Sequence, residues 1–124
     1  MAGTITITTN VTIPDFDGVD VTVPSSSFTV KTDDVVEFTR NIDASPAIIY
    51  DIAYQIAVVV NIGTIDAIVE VMAADRYAVF VVPPGAHAVL PSVVLSSTGV
   101  PTAVTNLAAY TAAGDGRIFV FLAK

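Results

Sequence analysis

The sequence predicts an all-β protein, a two-sheet antiparallel sandwich or jelly roll of about nine to ten short strands. Three observations predict it. The stretch from Ile56 to Val82 breaks into three runs rich in Val, Ile and aromatic residues, separated by Asn61-Ile62-Gly63-Thr64 and by Ala73-Ala74-Asp75-Arg76. Runs of that length bounded by turn residues are successive strands. The segment from Thr4 to Ile13 alternates, with Ile5, Ile7, Val11 and Ile13 set against Thr and Asn, which is the period of a strand with one dry face. Turn signals then recur at short intervals to the end of the chain, as they do in sandwiches.

Taken in order, the Thr-rich strand closes at Pro14, and Asp15-Phe16-Asp17-Gly18 reads as a turn. Val19, Val21 and Val23 alternate in a second short strand, stopped by Pro24. A strand carrying Phe28 and Val30 follows, and Lys31-Thr32-Asp33-Asp34 reads as a hairpin connection to the strand Val35 to Ile42. Ser45 to Ala57 fits two patterns. As a helix it would have Ser45 as cap, Pro46 as first residue and a stripe of Ile48, Ile49, Ile52, Ala53 and Ile56. The β-branched and aromatic content favours a strand for its second half at least, with room for a short helical turn after Pro46.

The first and third runs of the central stretch are apolar on both faces, so they are expected as central strands covered on each side. Pro83-Pro84-Gly85 ends the third, since Pro cannot donate to a ladder and Gly allows the sharp exit. Ala86 to Leu90 and Ser92 to Ser96 are short strands, and Ser97 to Pro101 is a loop. Thr105 to Ala112 reads as a strand despite its Ala content. Ala113-Gly114-Asp115-Gly116 then looks like a hairpin turn leading into Arg117 to Ala123, which is apolar on both faces.

With 124 residues, the chain is the size of one domain, here residues 1–124, with 1–13 as a candidate extended N-terminal strand or arm. Its composition is unusual for that size: 53% apolar and 14% charged, against about 25% charged in an ordinary soluble domain. A small domain cannot hide so much apolar side chain by itself, so burial against other subunits is expected. Asp51, Gln55, Asn61, Gly63, Asp66 and Glu70 interrupt the longest apolar region, Ile48 to Met72, too often for a membrane-spanning helix. The first ten residues lack the basic and apolar segments of a secretion signal. Five scattered bases against twelve acids give a net charge of −7, with no basic stripe for a phosphate backbone, so nucleic acid is not an expected partner.

Chemistry-bearing constellations are sparse. There is no Cys, which removes disulfides, thiolate metal sites and thiol nucleophiles. His87 is the only histidine, and Pro-Pro-Gly-Ala-His-Ala-Val-Leu-Pro offers it neither a nucleophile nor an orienting acid. Asp15, Asp17 and Asp20 surround a Gly as in part of a calcium loop, yet the downstream bidentate acid is missing, and turn chemistry explains them. Glu37 and Glu70 are the only glutamates, and a glycosidase would need them in one cleft. The expectation is therefore a non-enzymatic protein with no catalytic residue, cofactor or metal, whose interface candidates are Ile5, Ile7, Val11, Ile13, Ile118, Phe119, Val120, Phe121 and Leu122.

The C-terminal half carries a pattern of turns: Val60-Asn61-Ile62-Gly63-Thr64, then Val82-Pro83-Pro84-Gly85-Ala86-His87-Ala88-Val89-Leu90, then Ala113-Gly114-Asp115-Gly116-Arg117 before a last apolar strand. In this it resembles small β-sandwich virion proteins of tailed bacteriophages. The resemblance implies a capsid decoration, or cement, protein. Such a protein would be made in the host cytoplasm and placed on the capsid surface of the virion. It would associate with itself, as a homotrimer, and with the major capsid protein to stabilise the head. Relatives of this kind also serve in tails, baseplates and fibres, and a receptor-binding or glycan-binding head domain is a further alternative.

Overall fold

The structure is a computed structural model and describes residues 3–9, 26–32, 34–74 and 76–124. Within them lie twelve strands: β1 (Gly3–Thr9), β2 (Ser26–Thr32), β3 (Val35–Ile42), β4 (Ala47–Tyr50), β5 (Ile56–Asn61), β6 (Ala67–Met72), β7 (Tyr77–Val82), β8 (His87–Leu90), β9 (Val93–Leu95), β10 (Pro101–Ala103), β11 (Asn106–Tyr110) and β12 (Gly116–Ala123). Eight of them form two four-stranded antiparallel sheets, ordered β3-β12-β5-β8 and β4-β11-β6-β7. Among those eight, only β6 and β7 are consecutive neighbours in one sheet. Every other step along the chain crosses from one sheet to the other. That interleaving is the jelly roll. The β1-β2 ribbon precedes it, and the β9-β10 ribbon is inserted between β8 and β11.

The alternation of side chains sorts each strand into a face toward the opposite sheet and a face away from it. Ile118, Val120 and Leu122 of β12, Ala57 and Val59 of β5, Val69 and Val71 of β6, and Leu107 and Ala109 of β11 are buried in one cluster. The register puts Val120 beside Val59, and Leu107 and Ala109 beside Val71 and Val69. Tyr54 is drawn inward from the irregular segment after β4, and its hydroxyl donates to the Pro91 carbonyl at 2.6 Å. Burial pushes this phenol well above its ordinary value. The neutral phenol therefore contributes stability that is complete below the unfolded value of about 10 and is lost as pH rises beyond it. Tyr54→Phe is expected to cost about 1 kcal/mol at neutral pH and to flatten the alkaline loss of stability, as read from urea titrations at several pH values.

Several sequence expectations change. The third central run, β7, is an edge strand, and its residues alternate between exposed and half-buried up to Val82. Composition cannot tell an apolar strand covered on both faces from one left open. β2 does not pair with β3, nor β11 with β12, so neither expected hairpin forms: β2 pairs with β1, and the 111–116 turn carries the chain between sheets. The Thr111 hydroxyl holds that turn by donating to the Gly114 carbonyl at 2.6 Å, and Gly114 has a φ of 84°. Between Ser45 and Ala57, the first half is strand (β4) and residues 51–55 are irregular, with no helical turn after Pro46. A register shift between Leu107 and Ala108 brings β4 out of step with β11 there. The region Ile48 to Met72 is divided among β4, β5 and β6, and among the described residues no helix is long and apolar enough to cross a membrane. The expected strand around Val19 to Val23 lies outside the described residues.

Candidate functional site

The interface candidates read from the sequence separate into three groups among the described residues and a fourth outside them. Ile118, Val120 and Leu122 point into this domain's own core and have no exposed surface, so no partner can reach them in the folded chain. Phe119 and Phe121 lie on the opposite, outer face of β12, half-buried beside Val60 and Val58 of β5. Ile5 and Ile7 are half-buried on one parity of β1, at register positions opposite Val30 and Phe28. Val11 and Ile13 lie outside the described residues, as do Asp15, Asp17 and Asp20.

Glu37 projects from the outer face of β3, in register with Phe121, while Glu70 sits on the outer face of β6 in the other sheet. The two carboxylates face away from each other across the sandwich and share no cleft. His87 is exposed on β8, opposite Val60. Among the described residues no group of three or more His, Cys, Asp or Glu side chains could hold a metal ion. The Asn41, Ile42, Asp43, Asp115 and Gly116 depression is open, and Asp43 Oδ1 is engaged by the Ser45 amide at 2.8 Å.

The three turn motifs singled out in the sequence meet at one end of the sandwich, around Asn61. Its side chain is buried, and Nδ2 donates to the carbonyls of Ile65 and Val82 at 2.7 and 2.8 Å, while Oδ1 accepts the Gly63 amide at 2.9 Å. Its backbone amide donates to the Ala86 carbonyl and its carbonyl accepts the Gly85 amide, each at 2.9 Å. The Ile62 amide donates to the Arg117 carbonyl at 3.0 Å, and a Cβ on Gly63 would stand 2.9 Å from the Arg117 amide nitrogen. Asn61 on β5 thus ties its own sheet to Val82 on β7 of the other. These motifs serve the fold, and they would serve it in any jelly roll built this way.

No protein-family model, curated protein or solved structure matches this chain.

What distinguishes the surface is the outer face of the β4-β11-β6-β7 sheet. The register lines up Ile48, Ala108, Glu70 and Val79 in one row, Tyr110, Ile68 and Val81 in a second, and Asn106, Met72 and Tyr77 in a third. Tyr77, Val81, Ile48 and Val79 are 68%, 59%, 52% and 48% exposed. Strands about 4.8 Å apart and rows about 6.8 Å apart give these ten positions a footprint of roughly 330 Å², comparable to the largest apolar patch of an ordinary monomer, which is often functional. Glu70 is the one charged residue in these rows, and its Oε1 accepts the Tyr110 hydroxyl at 3.1 Å. Desolvation, the Glu70 carboxylate and nearby Tyr77 push the Tyr110 phenol up, so the pair stays hydrogen-bonded with the proton on tyrosine. Sequence reasoning missed Val79 and Val81 because they lay in a run read as fully covered. Only the order of strands in the sheet exposes them.

Proposed function

We propose that this protein is a structural component of a phage virion, a capsid decoration protein that associates with itself and bridges capsomers to stabilise the head. The observation that carries the reading is the apolar, nearly uncharged outer face around Val79 and Val81. In a chain carrying a net charge of −7, it is surface that exists to be covered. The jelly roll is compatible, since it recurs in viral capsid domains, although it hosts other roles as well. Glu37 and Glu70 lie on the outer faces of different sheets, an arrangement better suited to occupying an interface than to turning over a substrate. Three-fold association, with the outer face against a neighbour, accounts for the excess of apolar side chain noted in the composition.

The test is addition of purified protein to emptied, expanded heads that lack it. Stoichiometric binding and a raised temperature of head disruption are expected. Co-purification with tails and no binding to heads would move the protein to the tail or baseplate. Specific binding of the isolated domain on a glycan array would favour a receptor-binding role instead.

A further inference from the structure

A sheet edge presents unpaired amides and carbonyls to any passing strand, and soluble proteins blunt such edges with charge, proline, bulges or brevity. Most of the open edges of this chain are blunted in those ways. β3 carries Glu37 and Arg40, β2 carries Lys31, β8 has four residues between Gly85 and Pro91, β4 has four after Pro46 and a register shift, and β9 and β10 have three each. Among the described residues two edges have no such device. β7 reads Tyr-Ala-Val-Phe-Val-Val over six residues, and β1 reads Gly-Thr-Ile-Thr-Ile-Thr-Thr over seven, both without a charge or a proline. Among the described residues β7 pairs only with β6, and β1 only with β2.

Each of these strands lacks what the other supplies. A two-stranded ribbon is marginal in water and needs a third strand or a packed face, and among the described residues β1 and β2 make their main contacts with each other. β7 is a plain edge flanked by exposed apolar side chains. Pairing β1 with another β1 would make a ribbon of four strands with no core behind it, and pairing β7 with another β7 would leave the β1-β2 ribbon unsupported. We propose that β1 of one copy adds to the free edge of β7 of a second copy, so that the ribbon extends the neighbour's four-stranded sheet. The strands are seven and six residues long, and neither brings a charge of its own to the contact. The contact is head-to-tail, so it gives a closed ring where the rotation between copies closes and an open filament where it does not. The proposal rests on the self-association part of the function proposed above and names its surface.

Because the chain has no Cys, single introduced thiols report the pairing cleanly. Thr6→Cys and Ile7→Cys place a thiol on either face of β1, and each is mixed with Val79→Cys under mild oxidation. Cross-linked dimers are expected in at least one mixture and not in any variant alone. Val79→Lys, a charge on the exposed edge, is expected to abolish association in sedimentation while leaving the thermal melt unchanged at concentrations too low for either chain to associate. The proposal is overturned if Val79→Cys or a β1 variant cross-links with itself as fast as the mixtures do, if no mixture cross-links, or if Val79→Lys associates like the unsubstituted chain. Stoichiometric binding of the unsubstituted chain to heads, with no cross-linking in any mixture, would leave the decoration role standing and remove strand addition. Cross-linking without any binding to heads would do the reverse.

Discussion

Asn61→Leu is expected to lower the stability of the fold by about 3 to 4 kcal/mol, read as a fall in the urea midpoint with an unchanged slope. Leucine has the same branching and the same number of heavy atoms, with bulkier methyl ends, so the cost is not a cavity. It comes from the carbonyls of Ile65 and Val82 and the amide of Gly63, which lose their partners together. Each buried polar group left unsatisfied costs about 1 to 3 kcal/mol, and the three are too close to add fully. Asn61→Asp sharpens the test. It keeps an acceptor for Gly63 but sets a carboxylate against two carbonyls, so at neutral pH it should cost at least as much as leucine. At about pH 4 or below, protonation returns one donor, and part of the loss should be recovered. A cost below about 1 kcal/mol for Asn61→Leu would mean that the turns hold without this hub.

The same residue shows what the sequence could and could not tell. Asn61-Ile62-Gly63-Thr64 was legible as a turn because Asn and Gly are turn formers. That its amide spans from β5 to β7 of the other sheet was not, because nothing local encodes which strands face each other. The all-β class, the boundaries of β5, β6 and β8, and the apolar last strand could all be read from period and punctuation. Strand order could not. Gly114 and Gly116 form a genuine turn, yet it leads across the sandwich and not back along a hairpin. Gly116 itself is enclosed, since a Cβ there would lie 2.9 Å from Thr111 Cγ2 and 3.1 Å from Ile42 Cγ1, which is a packing constraint with no local sign. The interface reading suffered from the same limit. Where both parities of a strand are apolar, as in Val79 or in β12, alternation carries no signal, and only the sheet order separates core from surface.

That separation makes the last strand the place to test core against surface directly. Leu122→Ala is expected to cost about 2 to 5 kcal/mol in unfolding free energy, because Leu122 is wholly enclosed in the core cluster and its removal leaves a cavity between the sheets. One residue away, Phe121→Ala removes a larger side chain from the half-buried outer face, next to Val58 and across from Glu37. There no enclosed cavity forms, and the surrounding side chains and water fill the space, so its cost in the isolated chain should be the smaller of the two despite the greater volume lost. Self-association, measured by sedimentation below the melting temperature of each variant, should be unaffected by Leu122→Ala, since a residue with no exposed surface contributes to a partner only through the stability of its own domain. Equal stability costs for the two variants would contradict the inward placement of Leu122. Loss of association in a Leu122→Ala chain that remains folded would mean that the last strand leaves its core to meet its partner.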